Sequence, residues 1–328
     1  MTSRNPHSGI GADSAGSKPV RPPRRRKNPP PTPLILRMLR LVFQAGGYIA
    51  AGLTGQLACK LWYKTTRFPL PAGEKKALQQ AEVGFREING SRIATYTWGS
   101  AGAMVLLIHG WNGRATQLAP FVKPLLKNGL RVLAFDAPAH GKSTGRQTTI
   151  YEIAAVITEL NKHYGPFHAV ITHSFGGPSL ALAMKQGFTA ERIACLCPPA
   201  SAAGLVDKFA HTLHINDKTI RVMKRLIEER FGENVWSDVA MVNNVAELTV
   251  PAMIIHDEDD NDVPWQEGYA VSQAWPGSRF IKTSQLGHHR ILSDRTTIQT
   301  VAGFIVLQGR RANNLPQGGV LISVNGDL

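Results

Sequence analysis

At 328 residues, with 43% hydrophobic and 18% charged side chains, the chain can build a well-buried core, and global disorder is excluded. Its net charge of +14 suggests nucleic acid until the charges are located. Residues 1–67 hold twelve lysines and arginines against one acid, Asp13, while the remainder carries 25 basic and 22 acidic groups. The basicity belongs to a tail, it lacks interleaved aromatics, and no nucleic-acid partner is expected. Three cysteines make no disulfide framework. Cys195 and Cys197 alternate in RIACLC, which predicts one shared strand face, core packing and a reducing compartment.

Residues 1–33, ending in VRPPRRRKNPPPTP, are too rich in Pro, Gly, Ser and Arg to bury a core and read as a disordered basic tail. Residues 34–67 read as an apolar, membrane-associated or amphipathic helix. Within it LVFQAGGYIAAGLTGQLAC, 41–59, runs nineteen residues without a charge. That length matches a bilayer crossing, but two glutamines, Tyr48 and four glycines keep its hydrophobicity moderate. Three readings stand: a helix lying on a membrane or on the protein's own body, a true span, or an export signal. Arg21 to Lys27 beside it suit attraction to anionic lipid. Residues 21–67 are thus the candidate contact with an anionic membrane surface, on a protein otherwise expected in the cytoplasm.

From about residue 80 to 308 the pattern is that of one α/β domain. VGFREINGSRIATYTWG predicts a hairpin turning at Asn89-Gly90. The buried runs AMVLLIH (103–109), LRVLAFD (130–136), HAVITH (168–173), RIACLC, PAMIIH (251–256) and SRFIKTS (278–284) predict strands. Helices are predicted at 114–128, at 148–163 behind a Thr149/Glu152 capping box, and at 175–186. The alternation implies a mostly parallel sheet with helices on both faces and ligands at the carboxyl ends of its strands. It breaks between Pro198 and Pro251. Helices near 203–214 and 217–231 form an insertion there (about 200–250), read as a lid or as a helical excursion completing the core. The C-terminal residues 309–328 read as a loose tail.

Three strands point chemistry at one edge: His109, Asp136 and Ser174 all sit at or just past a strand's end. In THSFGGP, Ser174 stands at a strand–helix bend with Gly176 two residues on and Pro178 in the first helical turn. That is the arrangement of a nucleophile elbow, with Thr172 where a glycine usually stands. A serine nucleophile needs a base, and the base an orienting carboxylate. IIHDEDDNDVP (254–264) and SQLGHHRIL (284–292) supply both in that order, each just past a late strand. GKS at 141–143 lacks the glycine a phosphate loop needs, HTLH at 211–214 lacks a third metal ligand, and no dinucleotide motif follows a strand.

Taken together, HGW (109–111), FDAPAHGKS (135–143), THSFGG, HDEDDNDVP and LGHH resemble five motifs of the α/β-hydrolase-fold serine hydrolases, esterase- or lipase-like, over roughly residues 85–307. FDAPAHGKS departs from the family's pattern by Ala139 in place of a glycine. The resemblance implies an α/β-hydrolase fold with a helical lid insertion and a catalytic triad of Ser174, Asp260 and His288. His289 is the alternative base, and Asp257, Asp259 and Asp262 are left to solvate the loop or cap the next helix. The backbone N–H groups of Trp111 and Phe175 would form the oxyanion hole. His109, His140 and His173 would support the loops by hydrogen bonding. The implied reaction is hydrolysis of an ester or thioester through an acyl-enzyme, with no cofactor and no metal. An acyltransferase on the same triad and a non-catalytic binding protein are the alternatives.

Overall fold

The computed structural model describes residues 33–306. The expected tails at 1–33 and 309–328 thus lie outside the described residues, apart from Pro33. Two helices, α1 (Leu34–Ile49) and α2 (Ala51–Trp62), and the short α3 (Ala72–Gln79) precede the hairpin of β1 (Glu82–Ile88) and β2 (Ser91–Trp98). Asn89 and Gly90 turn that hairpin with φ of 49° and 75°, the left-handed pair that a two-residue loop requires. Then come β3 (Met104–Ile108), a 3-10 turn (Ala115–Phe121), α4 (Val122–Lys127), β4 (Arg131–Phe135), α5 (Ile150–Tyr164), β5 (Phe167–His173), α6 (Gly176–Lys185) and β6 (Ala190–Leu196). The insertion holds α7 (Ala202–Leu213), α8 (Asp217–Phe231), α9 (Val235–Asp238) and α10 (Met241–Val245). The chain closes with β7 (Ala252–Asp257), α11 (Trp265–Ala274), β8 (Arg279–Thr283), α12 (Gly287–Arg290) and α13 (Arg295–Val306).

All eight strands form one sheet in the order β1-β2-β4-β3-β5-β6-β7-β8. β2 pairs antiparallel with β1 and β4, and every other pairing is parallel. The chain runs from β3 outward to β4 and then back across to β5. The switch point therefore lies between β3 and β5, where α/β sheets bind ligands. Each apolar strand feeds two cores by alternation. Leu106, Ile108, Leu133, Phe135 and Val170 face Ile153, Ile157 and Leu160 of α5 and Leu180 of α6. Val105, Leu107, Val132, Ala169 and Ile171 face Phe121, Leu125 of α4, and Val301 and Phe304 of α13. That is why these runs are apolar without interruption. Each such side chain removed from water stabilises the fold by on the order of 2 kcal/mol.

Several local expectations change. The helix predicted over 114–128 begins as a 3-10 turn, because Pro120 and Pro124 lack the N–H groups an α-helix needs there. Cys195 and Cys197 do not share a face. Cys195 packs with the first core, but Cys197 lies just past β6 at φ 50° and packs with the second. The left-handed residue swings its side chain across the sheet. The capping box does form: Glu152 N–H donates to Thr149 Oγ1 at 3.2 Å, and Thr149 N–H to Glu152 Oε2 at 2.7 Å.

The segment expected as one apolar helix is two helices, broken at Ala50 (φ −142°, ψ 57°). No helix among the described residues is long and apolar enough to cross a membrane. α1 and α2 pack instead on the insertion. Phe43 and Ala58 join Val206, Met223, Ile227 and Val235 in a third, separate core. Gly47 and Gly55 allow close approach, since a Cβ there would strike Asn216 and Val222 of α8 respectively, Asn216 standing at that helix's N-cap. Thr54 and Thr219 share a buried hydrogen bond of 2.9 Å. After α2, Thr65 Oγ1 donates to Ala139 O at 2.7 Å, and the Arg67 guanidinium donates to the carbonyls of Gly141, Ser143 and Gly145. α10 behaves differently from α7–α9: its Met241 and Val245 belong to the first core, so part of the insertion completes the main body.

Candidate active site

Ser174 follows directly on β5 and bends the chain with φ of 52°. For a residue with a side chain, that conformation costs roughly 1–2 kcal/mol. Two backbone hydrogen bonds hold it: Ser174 N–H to Leu196 O at 2.8 Å and Gly177 N–H to Ser174 O at 2.9 Å. Space is the other requirement. A Cβ on Gly176 would stand 2.6 Å from Ile108 O, and one on Gly110 would stand 2.8 Å from Ser174 Cβ. The small residue two places after the serine is thus demanded by the end of β3.

Thr172 does not prevent the bend. It sits within β5, paired with Ile108 and Cys195, and is fully buried. Its hydroxyl finds no oxygen or nitrogen partner and lies against the Cys195 thiol. Replacing a buried, poorly bonded hydroxyl by a methyl of the same shape is close to neutral. Thr172→Val is therefore expected to change the urea unfolding free energy by less than about 1 kcal/mol. A loss of twice that would show that the hydroxyl is well bonded.

The loops on either side are organised by Asp136, buried at the end of β4. Its carboxylate accepts from Tyr96 Oη (2.7 Å), Ala115 N–H (2.8 Å) and Lys142 N–H (2.8 Å). One carboxylate thus pins the HGW side, the APAHGKS loop and β2. Two histidines complete the frame. His109 Nε2 accepts Ala137 N–H at 3.0 Å, and His140 Nε2 accepts Asn112 N–H at 3.0 Å. Each gives its Nδ1 proton to a nearby carbonyl, Gly110 and Pro138 respectively. Burial, joined by the neighbouring His109, pushes His140 down to about 3, so it stays neutral and able to accept. Ala139 takes φ of 67°, in the left-handed region. Asp136→Ala strands two backbone donors and a tyrosine hydroxyl, and is expected to cost about 3 kcal/mol or more in urea unfolding. Asp136→Glu, displaced by one methylene, should recover little of it.

The acid and histidine loops meet on the same edge. Asp260 Oδ2 accepts from His288 Nδ1 at 2.6 Å, while Oδ1 accepts the N–H groups of Asp262 (2.7 Å) and Val263 (2.9 Å). Burial alone would raise the Asp260 carboxyl. Hydrogen bonds from His256 and His288 outweigh it and hold the group well below the usual carboxylate range. An ionised Asp260 can only accept, so His288 carries its proton on Nδ1 and presents Nε2 as the basic nitrogen. His173, the residue before Ser174, brings this loop to the bend. Its Nε2 donates to His288 O at 2.9 Å, and the two rings lie 4.7 Å apart. His289 is exposed and faces Asp262 at 3.6 Å.

Three contributors escape a reading by motif. Asp257, expected to solvate the loop, is completely buried. It accepts Leu286 and Gly287 N–H and the Thr283 hydroxyl, and Asp259 accepts Gln285 N–H. These carboxylates tie the acid loop to the histidine loop. None of them caps α11, whose first residue follows Pro264 with no side-chain cap. His256 donates Nε2–H to Val263 O at 2.9 Å and stands 3.3 Å from Asp260. The only signal for these roles was position at or just past the end of β7.

Trp111 and Phe175 stand together across the switch point, their rings 5.2 Å apart and edge to face. The turns beside them close through Gly113 N–H to Gly110 O at 3.0 Å and Gly177 N–H to Ser174 O at 2.9 Å. A cavity of about 600 Å³ reaches Ser174, Trp111 and Phe175. Its walls are mostly apolar: Leu39 and Trp62 from α1 and α2, Tyr151 from α5, Phe209 from α7, and Ile227 and Phe231 from α8. Cys197, His256 and Asp260 bring ligand atoms within 4.8 Å of one another. They make a poor metal site: burial pushes the Cys197 thiol up, away from the thiolate a metal needs, and His256 and Asp260 are already bonded.

No curated protein sequence matches this chain significantly. Solved structures share its fold at low identity. Est1E of Butyrivibrio proteoclasticus, solved with ferulic acid, is 17% identical with a TM-score of 0.52, covering 68% of this chain and 100% of its own. A bromoperoxidase from Bacillus anthracis is 17% identical with a TM-score of 0.55, over 69% and 99%. A bacterial membrane phospholipase A is 15% identical with a TM-score of 0.55, over 86% and 99%. In the sequence itself, residues 105–298 match the Alpha/beta hydrolase family, a span running from β3 into α13. With that match over more than half its length and the sheet order above, this chain belongs to the alpha/beta hydrolase family.

Proposed function

We propose that the protein is a serine hydrolase that cleaves an acyl ester or thioester through Ser174. The observation that carries this reading is the 2.6 Å bond between His288 Nδ1 and a buried, ionised Asp260, on a loop tied by His288 O to His173, the residue before a serine in a strained left-handed bend. Ser174 Oγ attacks the acyl carbonyl as His288 Nε2 takes its proton. The resulting imidazolium is stabilised by Asp260. Negative charge on the carbonyl oxygen is met by the Trp111 and Phe175 N–H groups, each worth on the order of 3 kcal/mol in the transition state. His288 returns the proton to the departing alcohol or thiol. Water, activated by the same imidazole, then frees the acid and restores Ser174.

The cavity favours an apolar acyl group, because its walls offer aliphatic and aromatic surface and few polar partners. Neither a metal nor an organic cofactor is needed by this scheme. The test is labelling by a fluorophosphonate beside turnover of p-nitrophenyl esters of increasing chain length. Labelling at Ser174, with kcat/KM rising from acetyl toward medium chains, is expected. A well-folded protein that neither labels nor turns over any ester in the series would overturn the reading.

A further inference from the structure

The inner side of α1 is packed and the outer side is bare. Phe43 and Gly47 are buried against the insertion, Arg40 Nε donates to Thr212 O at 2.9 Å, and Leu39 lines the cavity. On the opposite arc Leu34, Ile35, Met38, Leu41, Tyr48 and Ile49 are 56–87% exposed. They recur with helical spacing along four turns, so they form one continuous apolar stripe rather than scattered surface residues. Arg37 and Arg40 border it on one side.

Something apolar is required to cover this stripe, and charge selects what. Between Asp13 and Glu74 the sequence has eleven lysines and arginines and not one acid. Two copies meeting through α1 would bring those cations together. Residues 1–33 hold Met1, Ile10 and Val20 as their sizeable aliphatic side chains, too few to match the stripe. An anionic lipid surface satisfies both requirements: its acyl boundary takes the leucines and isoleucines, and its headgroups attract the basic residues.

We infer that α1 docks flat on an anionic membrane through this stripe, with its inner side still forming a wall of the cavity that reaches Ser174. The helix then joins the bilayer to the site, so a lipid acyl chain has only the thickness of α1 and α2 to pass. Docking itself does not depend on the proposed hydrolysis.

The experiment is flotation of the full chain with vesicles of phosphatidylcholine alone and of phosphatidylcholine with phosphatidylglycerol, at low and high salt. Binding is expected to the anionic vesicles and to weaken with salt. The variant Leu34→Gln/Ile35→Gln/Met38→Gln/Leu41→Gln should bind at least roughly tenfold more weakly, and Ser174→Ala should bind like wild type. Because the four positions are exposed and outside the cavity wall, turnover of a water-soluble short ester and helical circular dichroism serve as folding controls. Absence of binding to anionic vesicles, or unchanged binding by the folded variant, overturns the proposal. So does a concentration-dependent dimer that the same variant abolishes, since the stripe would then be an interface between copies.

Discussion

Ser174→Ala is expected to abolish fluorophosphonate labelling and to lower kcat for any ester substrate by roughly a thousandfold or more, with the fold intact. The alanine keeps the Cβ that sits in the bend and removes only Oγ. Neither backbone hydrogen bond at position 174 uses the side chain, so both remain: the one to Leu196 O and the one from Gly177 N–H. Stability should therefore stay within about 1 kcal/mol of wild type in urea unfolding. Loss of activity with loss of stability would point to a scaffold role for the residue. Labelling that persists in the variant would place the reactive nucleophile elsewhere. Single-turnover kinetics would then separate a slow acylation from a slow product release.

The second large effect is expected at Asp260. In Asp260→Asn an amide nitrogen or oxygen faces His288 Nδ1, and the Nδ1–H tautomer is no longer enforced. Nε2 can then carry the proton and cease to act as a base, which should cost about four orders of magnitude in kcat with KM little changed. The same substitution carries a stability signature. Asp260's carboxyl is held below its ordinary value in the fold, by His256 and His288 against the opposing effect of burial. A lowered native value means stability that is complete above the unfolded value, about pH 4, and lost as pH falls through the native value. The gap in unfolding free energy between wild type and Asp260→Asn should thus be constant from neutral pH down to about pH 5 and narrow below pH 4. A gap that widened on acidification would contradict an ionised Asp260. Urea midpoints at several pH values check it.

The site was legible where chemistry forces a residue type into a local pattern. Ser174 announces itself because a serine just past a buried strand, with two glycines starting two residues on, has few other uses, and Gly176 is demanded by the carbonyl of Ile108. Asp260 and His288 were reached through loops at the ends of β7 and β8, and their bond is a fact of geometry that no spacing contains. Asp257 was misread because five carboxylates in six residues look alike in one dimension. Depth distinguishes them: Asp257 is completely buried and tied to the histidine loop, while Asp262 is exposed beside Lys208. The cysteines failed for a related reason. Alternation predicts a shared face only while the strand continues, and β6 ends at Leu196.

Local sequence determined the strands, most helices, the Asn89-Gly90 turn and the Thr149 cap, because each depends on periodicity or on bonds within a few residues. It also determined the parallel sheet, since alternating buried runs and amphipathic helices pack in few other ways. Tertiary structure decided the rest. α1 and α2 were ambiguous as a sequence because an apolar helix looks the same against lipid or protein. Only the presence of Val206, Met223 and Ile227 across from Phe43 and Ala58 decided which side is buried. The cavity, the Asp260–His288 bond and the network around Asp136 likewise join residues far apart in the chain. Their energies come from contacts that exist only once the loops have been brought to the same edge of the sheet.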